Sequence, residues 1–228
     1  MRNPIGLVLP ALFLCMLSLV PCGQTATLAV LDFENNSLFD KDSYASLSTG
    51  LAEIMITELS KVASLQLVER RKLKNLLDEV KLEQAGISEE SQSLQVGKML
   101  GVKNLVFGSF MVAPDKKIRL DLRIVEIETG ITLKAEEVTG KAKDVLDLVQ
   151  KLSKKLLKDL NVTMTEAEIK ALEDSKSVDF KAVTLYSNGL QLEDKGKIAE
   201  AGKCYKEALR ISPDFEQAQK RLEALRNR

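Results

Sequence analysis

Between Thr27 and Leu160 the apolar residues change period repeatedly, and that alternation restricts the segment to a layered α/β fold. Thr27 to Phe33 is almost wholly apolar, as a strand covered on both faces should be. From Tyr44 to Val62, the residues Leu47, Leu51, Ile54, Met55, Leu59 and Val62 recur at three- and four-residue intervals, the stripe of an amphipathic helix. Leu65 to Val68 reads as a brief strand. Leu73, Leu76, Leu77 and Val80 mark a second helix, and Ser88, followed by Glu89 and Glu90, caps a third that stops near Gly101. Lys103 to Val112 and the strand around Ile118 to Ile124 form a hairpin across Pro114-Asp115-Lys116-Lys117. The second strand buries one face only, because Arg119, Asp121 and Arg123 alternate with its apolar residues. At Val125 and Ile127 the apolar parity flips, which predicts a β-bulge with one extra residue in that strand. A third strand follows Gly130 through Val138. A last helix, Lys143 to Leu160, carries Val145, Leu148, Val149, Leu152, Leu156 and Leu160 on one face.

Four blocks of this segment, in order, are similar to the CsgG family. They are Ala29 to Phe33 (Ala-Val-Leu-Asp-Phe), Leu67 to Arg70 with Leu73 to Asp78, Gly101 to Gly108 (Gly-Val-Lys-Asn-Leu-Val-Phe-Gly), and Leu122 to Gly130 (Leu-Arg-Ile-Val-Glu-Ile-Glu-Thr-Gly). Members of that family are bacterial cell-envelope proteins, among them the curli secretion channel lipoprotein and accessory lipoproteins that form no channel. The resemblance covers residues 27 to about 160. It implies a periplasmic α/β domain, a CsgG-like sheet with flanking helices, tethered to the outer membrane, and it carries over no catalytic residue. Channel members insert transmembrane hairpins after the strand corresponding to Leu105 to Val112 and again before the final helix. A membrane-spanning strand takes roughly 9–11 residues. Here only Ala113 to Lys117 and Lys141 to Asp144 occupy those places, too little chain to cross a bilayer.

The N-terminus reads as an address. Arg2 precedes a nearly uncharged run from Ile5 to Val20, the length of a signal-peptide apolar region and short for a membrane span. Leu19-Val20-Pro21-Cys22-Gly23 resembles a bacterial lipobox, with Cys22 the lipidation site and Pro21 standing where the pattern prefers a small residue. Residues 1–22 are expected to be a signal peptide with a lipobox-like end, and the membrane to be met by a lipid anchor only; the alternative is ordinary cleavage after Gly23 or Ala26, which also lacks two small residues at the right spacing. Cys15 would be discarded and Cys22 acylated. Cys204 would then be the one thiol left, a small helix residue with no His or basic cluster to make it a thiolate.

Composition narrows the chemistry. The 33 Lys and Arg balance 33 Asp and Glu, and no basic tract exceeds Arg70-Arg71-Lys72, so nucleic acid is not an expected partner. The sequence contains no His, which removes imidazole base catalysis, ligation and pH switching. Asp32 and Glu34 flank the end of the first strand, where ligands of open α/β sheets bind, but loop solvation explains them more simply. Gly97-Lys98 lacks the rest of a phosphate-binding loop. Arg70-Arg71-Lys72 and Asp115-Lys116-Lys117 read as solvated turns, and Asn35-Asn36-Ser37 and Asn161-Val162-Thr163 as unused glycosylation sequons. No enzyme activity, cofactor or metal site is expected; a carboxylate-dependent hydrolase using Asp32 and Glu34 is the alternative of another class.

Gly189, Ala201, Tyr205, Ala208 and Pro213 fall at the spacing of one tetratricopeptide repeat (TPR) running from Ala182 to Phe215. Ser212 and Pro213 are expected to cap and open one more helix, with Phe215, Ala218, Leu222 and Leu225 on its covered face. A single repeat cannot bury its own apolar face. It must lean on the α/β domain, on a second copy or on another protein. The expected organisation is a signal peptide over residues 1–22, a CsgG-like α/β domain over 27–161, a polar linker over 162–180 with a capping box at Thr165 to Glu168, and a small all-α TPR-like hairpin with a capping helix over 181–228. The expected role is that of a non-enzymatic periplasmic accessory or scaffold lipoprotein at the outer membrane. It would serve envelope assembly or secretion by docking a protein partner on the repeat, with a homo-oligomer possible. The alternative is a subunit of a curli-type export channel.

Overall fold

The first strand, β1 (Ala26–Val30), is shorter than its apolar run. The Phe33 N–H is taken by the Ser48 carbonyl at 3.0 Å instead of a strand neighbour, which interrupts the ladder, and pairing resumes in β2 (Glu34–Asn35). The structure, a computed structural model, describes residues 26–83, 87–174 and 177–227. The remaining strands and α-helices are α1 (Leu47–Leu59), β3 (Leu65–Leu67), α2 (Arg70–Glu83), α3 (Glu89–Met99), β4 (Asn104–Val112), β5 (Lys117–Glu126), β6 (Thr132–Lys141), α4 (Val145–Asp159), α5 (Glu166–Glu173), α6 (Phe180–Asp194), α7 (Ile198–Ile211) and α8 (Glu216–Arg226). The fold is thus the expected α/β sheet with flanking helices, followed by helices α6 to α8.

The strands form one sheet in the order β3-β1-β4-β5-β6, with β2 beside β4. β1 runs parallel to β3 and β4, while β4, β5 and β6 form an antiparallel meander. One face lies under α1 and α4, where Leu28, Val30, Val106, Phe110, Ile118, Leu120, Leu122 and Ile124 are buried. The other face is covered by α2 and α3 only over Ala29, Leu31, Leu105 and Ile127. Coverage explains the parity flip in β5. Its Arg119, Asp121 and Arg123 lie beyond the helices, whereas Val125, on the same face, is buried. The expected bulge is not in β5, which pairs with β4 in unbroken register. It falls opposite, in β6: Ile124 faces Lys134 and Val125 faces Thr132, which leaves Leu133 as the extra residue. β6 also runs past Val138 to Lys141, and α4 starts at Val145.

Local signals behave as the chemistry requires. Ser88 Oγ accepts the Ser91 N–H at the start of α3, and Gly101 ends that helix at φ 65°. At α5, Thr165 and Glu168 form a reciprocal capping box. Glu168 also accepts the Ala63 N–H at 2.7 Å, and Lys61 donates to the Ala171 carbonyl at 3.1 Å, so α5 is docked on the α1–β3 turn with Leu172 buried.

The final helix departs from expectation. Ser212 and Pro213 do not open it: α8 begins at Glu216 behind Phe215, while the Ser212 hydroxyl accepts the Asp179 N–H at 3.1 Å, tying the end of α7 to the start of α6. Phe215 is fully buried, and its packing sets where the chain turns.

Candidate functional site

Helices α6 and α7 form an antiparallel hairpin with Gly189, Ala201, Tyr205 and Ala208 at its seam. A Cβ on Gly189 would overlap the Tyr205 ring, so the two backbones approach as closely as they do because that side chain is absent. Tyr186 packs 5.8 Å from Tyr205 and 5.0 Å from Phe215, ring centre to ring centre, and all three are buried. Pro213 follows the end of α7. The hairpin rests on the α/β layer through α6: Ala182, Val183, Tyr186 and Leu190 join the same apolar core as Leu51 and Met55 of α1. A Cβ on Gly50 would overlap Ser187 Oγ, so α1 and α6 also touch through small residues. Lys203, Lys206 and Arg210 stand exposed along the outer side of α7. Burial and the nearby Glu200 push the Cys204 thiol up.

Beside the α1–α6 contact lies an ionic cluster that the sequence did not announce. Arg70, expected in a solvated turn, is only 2% exposed. Its Nη2 donates to both Asp194 oxygens at 2.9 Å, its Nε to Glu53 at 3.2 Å and its Nη1 to Asp32 at 3.4 Å. Arg221 of α8 pairs with the other oxygen of Glu53 and lies 3.8 Å from Glu193. Glu193 in turn accepts the Tyr205 hydroxyl at 2.7 Å. Burial alone would lower the Arg70 pKa, but Asp32, Asp194 and Glu53 outweigh it and hold the guanidinium above its usual value. Arg221 is raised in the same way, chiefly by Glu53, and burial with the Glu193 bond pushes Tyr205 up. The cluster joins the end of β1, α1, α2, α6, α7 and α8. Removing one partner would leave uncompensated buried charge.

The open part of the sheet forms the floor of a groove of about 1040 Å³ that Asp32, Glu34 and Arg70 border at one side. Arg119 makes a forked bond to Asp121 at 2.6–3.0 Å and pairs with Glu137 across β5 and β6. Arg123 bonds Glu90 at 2.9 Å and lies 4.7 Å above the Phe107 ring. Asp32 is engaged by Thr49 at 3.1 Å as well as by Arg70. The groove's charges thus largely satisfy one another, and among the described residues no group of His, Cys, Asp or Glu is placed to hold a metal. Cys22, the expected lipidation site, and the expected signal peptide over residues 1–22 lie outside the described residues. No helix among them is long and apolar enough to cross a membrane.

Residues 18–119 match the family model described as "Curli production assembly/transport component CsgG". No curated protein sequence matches the chain. Among solved structures, TolB from Acinetobacter baumannii is 14% identical with a TM-score of 0.42 over 63% of this chain, and the match spans 30% of TolB's own length. Lipoprotein GNA1162 from Neisseria meningitidis is 12% identical, TM-score 0.40, over 61% of this chain and 99% of its own. The PelC dodecamer from Paraburkholderia phytofirmans is 10% identical, TM-score 0.36, over 62% of this chain and 91% of its own.

Proposed function

We propose that this chain is a non-enzymatic accessory lipoprotein of the bacterial cell envelope, anchored to the outer membrane from the periplasmic side and working through protein–protein contacts. The family match supports the envelope setting. The observation that carries the accessory reading is the closure of the meander. The Ala113 N–H donates to the Lys117 carbonyl at 2.8 Å, and the Lys116 N–H to Ala113 at 3.0 Å. The Ala142 N–H returns to the Lys116 carbonyl at 2.8 Å. The β4–β5 turn and the passage from β6 to α4 are therefore tight, self-bonded connections with no chain to spare for a spanning hairpin of roughly 20 residues.

The apolar side of α6 is occupied by the chain's own α1, so a partner would meet the outer side of the TPR-like hairpin, where Lys203, Lys206 and Arg210 project. Crosslinking in intact cells, followed by isolation of the chain with and without Lys203→Glu, Lys206→Glu and Arg210→Glu together, tests this. The expected result is an unchanged membrane fraction with one crosslinked protein lost; an identical set of crosslinked proteins would sink the docking role. A second reading, a ring-forming subunit of an export channel, is favoured by the family description alone.

A further inference from the structure

The sheet has two ends, and each exposes apolar side chains. At one end Leu38, 82% exposed, and Phe39 follow β2 beside the last residues of β4, fixed there by Asn36 N–H to the Phe110 carbonyl at 2.8 Å and Val112 N–H to Ser37 Oγ at 3.0 Å. At the other end β1 begins. The Lys103 N–H donates to the Thr27 carbonyl at 3.2 Å, the Ile127 N–H to Lys103 at 3.0 Å, and the Glu126 N–H to Ile131 at 3.0 Å. These bonds run from the start of β1 across to the β5–β6 turn. Neighbouring strands lie about 4.8 Å apart, which puts that turn roughly 10–15 Å from Thr27. Here Ile131 is 60% and Leu133 43% exposed, the latter being the bulge residue of β6. Met99, 63% exposed, is the last residue of α3, two residues past Gly97, which packs against Ile127. The charges around them are mixed: Lys98, Lys103 and Lys134 beside Glu126 and Glu128.

We infer that this end of the sheet, through Ile131, Leu133 and Met99, rests on the lipid bilayer surface. The inference builds on the acylation of Cys22 proposed above. The chain from Cys22 to Ala26 reaches at most about 14 Å even when fully extended. The sheet end at Ala26 must then stay within that distance of the lipid headgroups, and the exposed apolar side chains around it fall inside the same footprint. Leu38 and Phe39 do not: β4 alone separates the two ends by about 26 Å. Apolar side chains at the tethered end gain by entering the interfacial layer, and they would hold the domain down on the surface to which the acyl chains tether it.

The test uses the full acylated chain in vesicles of phosphatidylethanolamine and phosphatidylglycerol, with Cys204→Ala removing the helix thiol and a nitroxide placed at Ile131→Cys, Leu133→Cys or Leu38→Cys. Intact mass of the mature N-terminus is read on the same material. The expected result is a diacylated Cys22, with the labels at 131 and 133 relaxed by dissolved oxygen several-fold more than by a water-soluble nickel complex, and the label at 38 showing the reverse. An acylated Cys22 with all three labels equally open to the nickel complex overturns the bilayer contact and leaves the anchor standing. An unmodified Cys22 overturns both.

Discussion

The Arg70 guanidinium holds both carboxylate oxygens of Asp194 at 2.9 Å, across 124 residues of sequence. This fork, with Glu53 and Asp32 on the remaining nitrogens, fixes the end of α6 to the first turn of α2 and makes the C-terminal helices part of the α/β body.

Removing the cation should be costly, because three carboxylates converge on it. Arg70→Met is expected to lower the free energy of unfolding by about 3–5 kcal/mol, the range for breaking a buried pair. Urea unfolding of the full chain measures it. Adding Asp194→Leu should recover part of the loss; a change below about 1 kcal/mol for the single variant would show that the cluster is solvated.

The contact between α1 and α6 depends on the lack of a side chain at Gly50. Gly50→Ala is expected to destabilise by about 1–3 kcal/mol through overpacking against Ser187. Ser187→Gly in the same chain should relieve it, although the added helix glycine keeps about 1 kcal/mol of the loss. Thermal midpoints of the two variants decide this, and equal midpoints would contradict the close packing of the helices.

Glu168 sits in the capping box with its carboxylate held below the ordinary value of 4.5, first by the Thr165 N–H and then by the Ala63 N–H. A lowered folded pKa contributes stability that is present above about 4.5 and disappears as the pH falls through the folded value. Urea midpoints of the parent chain and of Glu168→Gln should therefore differ at pH 7 and converge as the pH falls from 4.5 through the lowered folded value. Parallel curves over that range would exclude a role for the carboxylate.

Cys204 should be a slow nucleophile, since burial and Glu200 raise its pKa. Iodoacetamide at pH 7 is expected to modify the folded chain more slowly than the same chain in urea. Equal rates would mean an open, ordinary thiol.

Much of this architecture is legible in the sequence, and the exceptions share a cause. Strand and helix identities follow from apolar period, and Ser88, Gly101 and the Thr165–Glu168 box announce their boundaries through interactions a few residues long. Arg70 could not be read that way. Its burial depends on Asp194 and Glu53, which the fold brings to it from distant elements, and a run of Arg-Arg-Lys looks the same whether or not such carboxylates arrive. The parity flip at Val125 was visible but ambiguous: a bulge and a change in helix coverage give the same pattern, and only the register shows that the extra residue is Leu133 on the neighbouring strand. Likewise Ser212 has the chemistry of an N-cap, yet the buried ring of Phe215 determines where α8 begins.

Among the described residues the late strands close on themselves through short, self-bonded connections, and the proposed adaptor is expected to form no pore. Current across a planar bilayer holding the purified acylated protein measures this. A tethered adaptor gives a flat trace at every protein concentration, and discrete, reproducible conductance steps would contradict it.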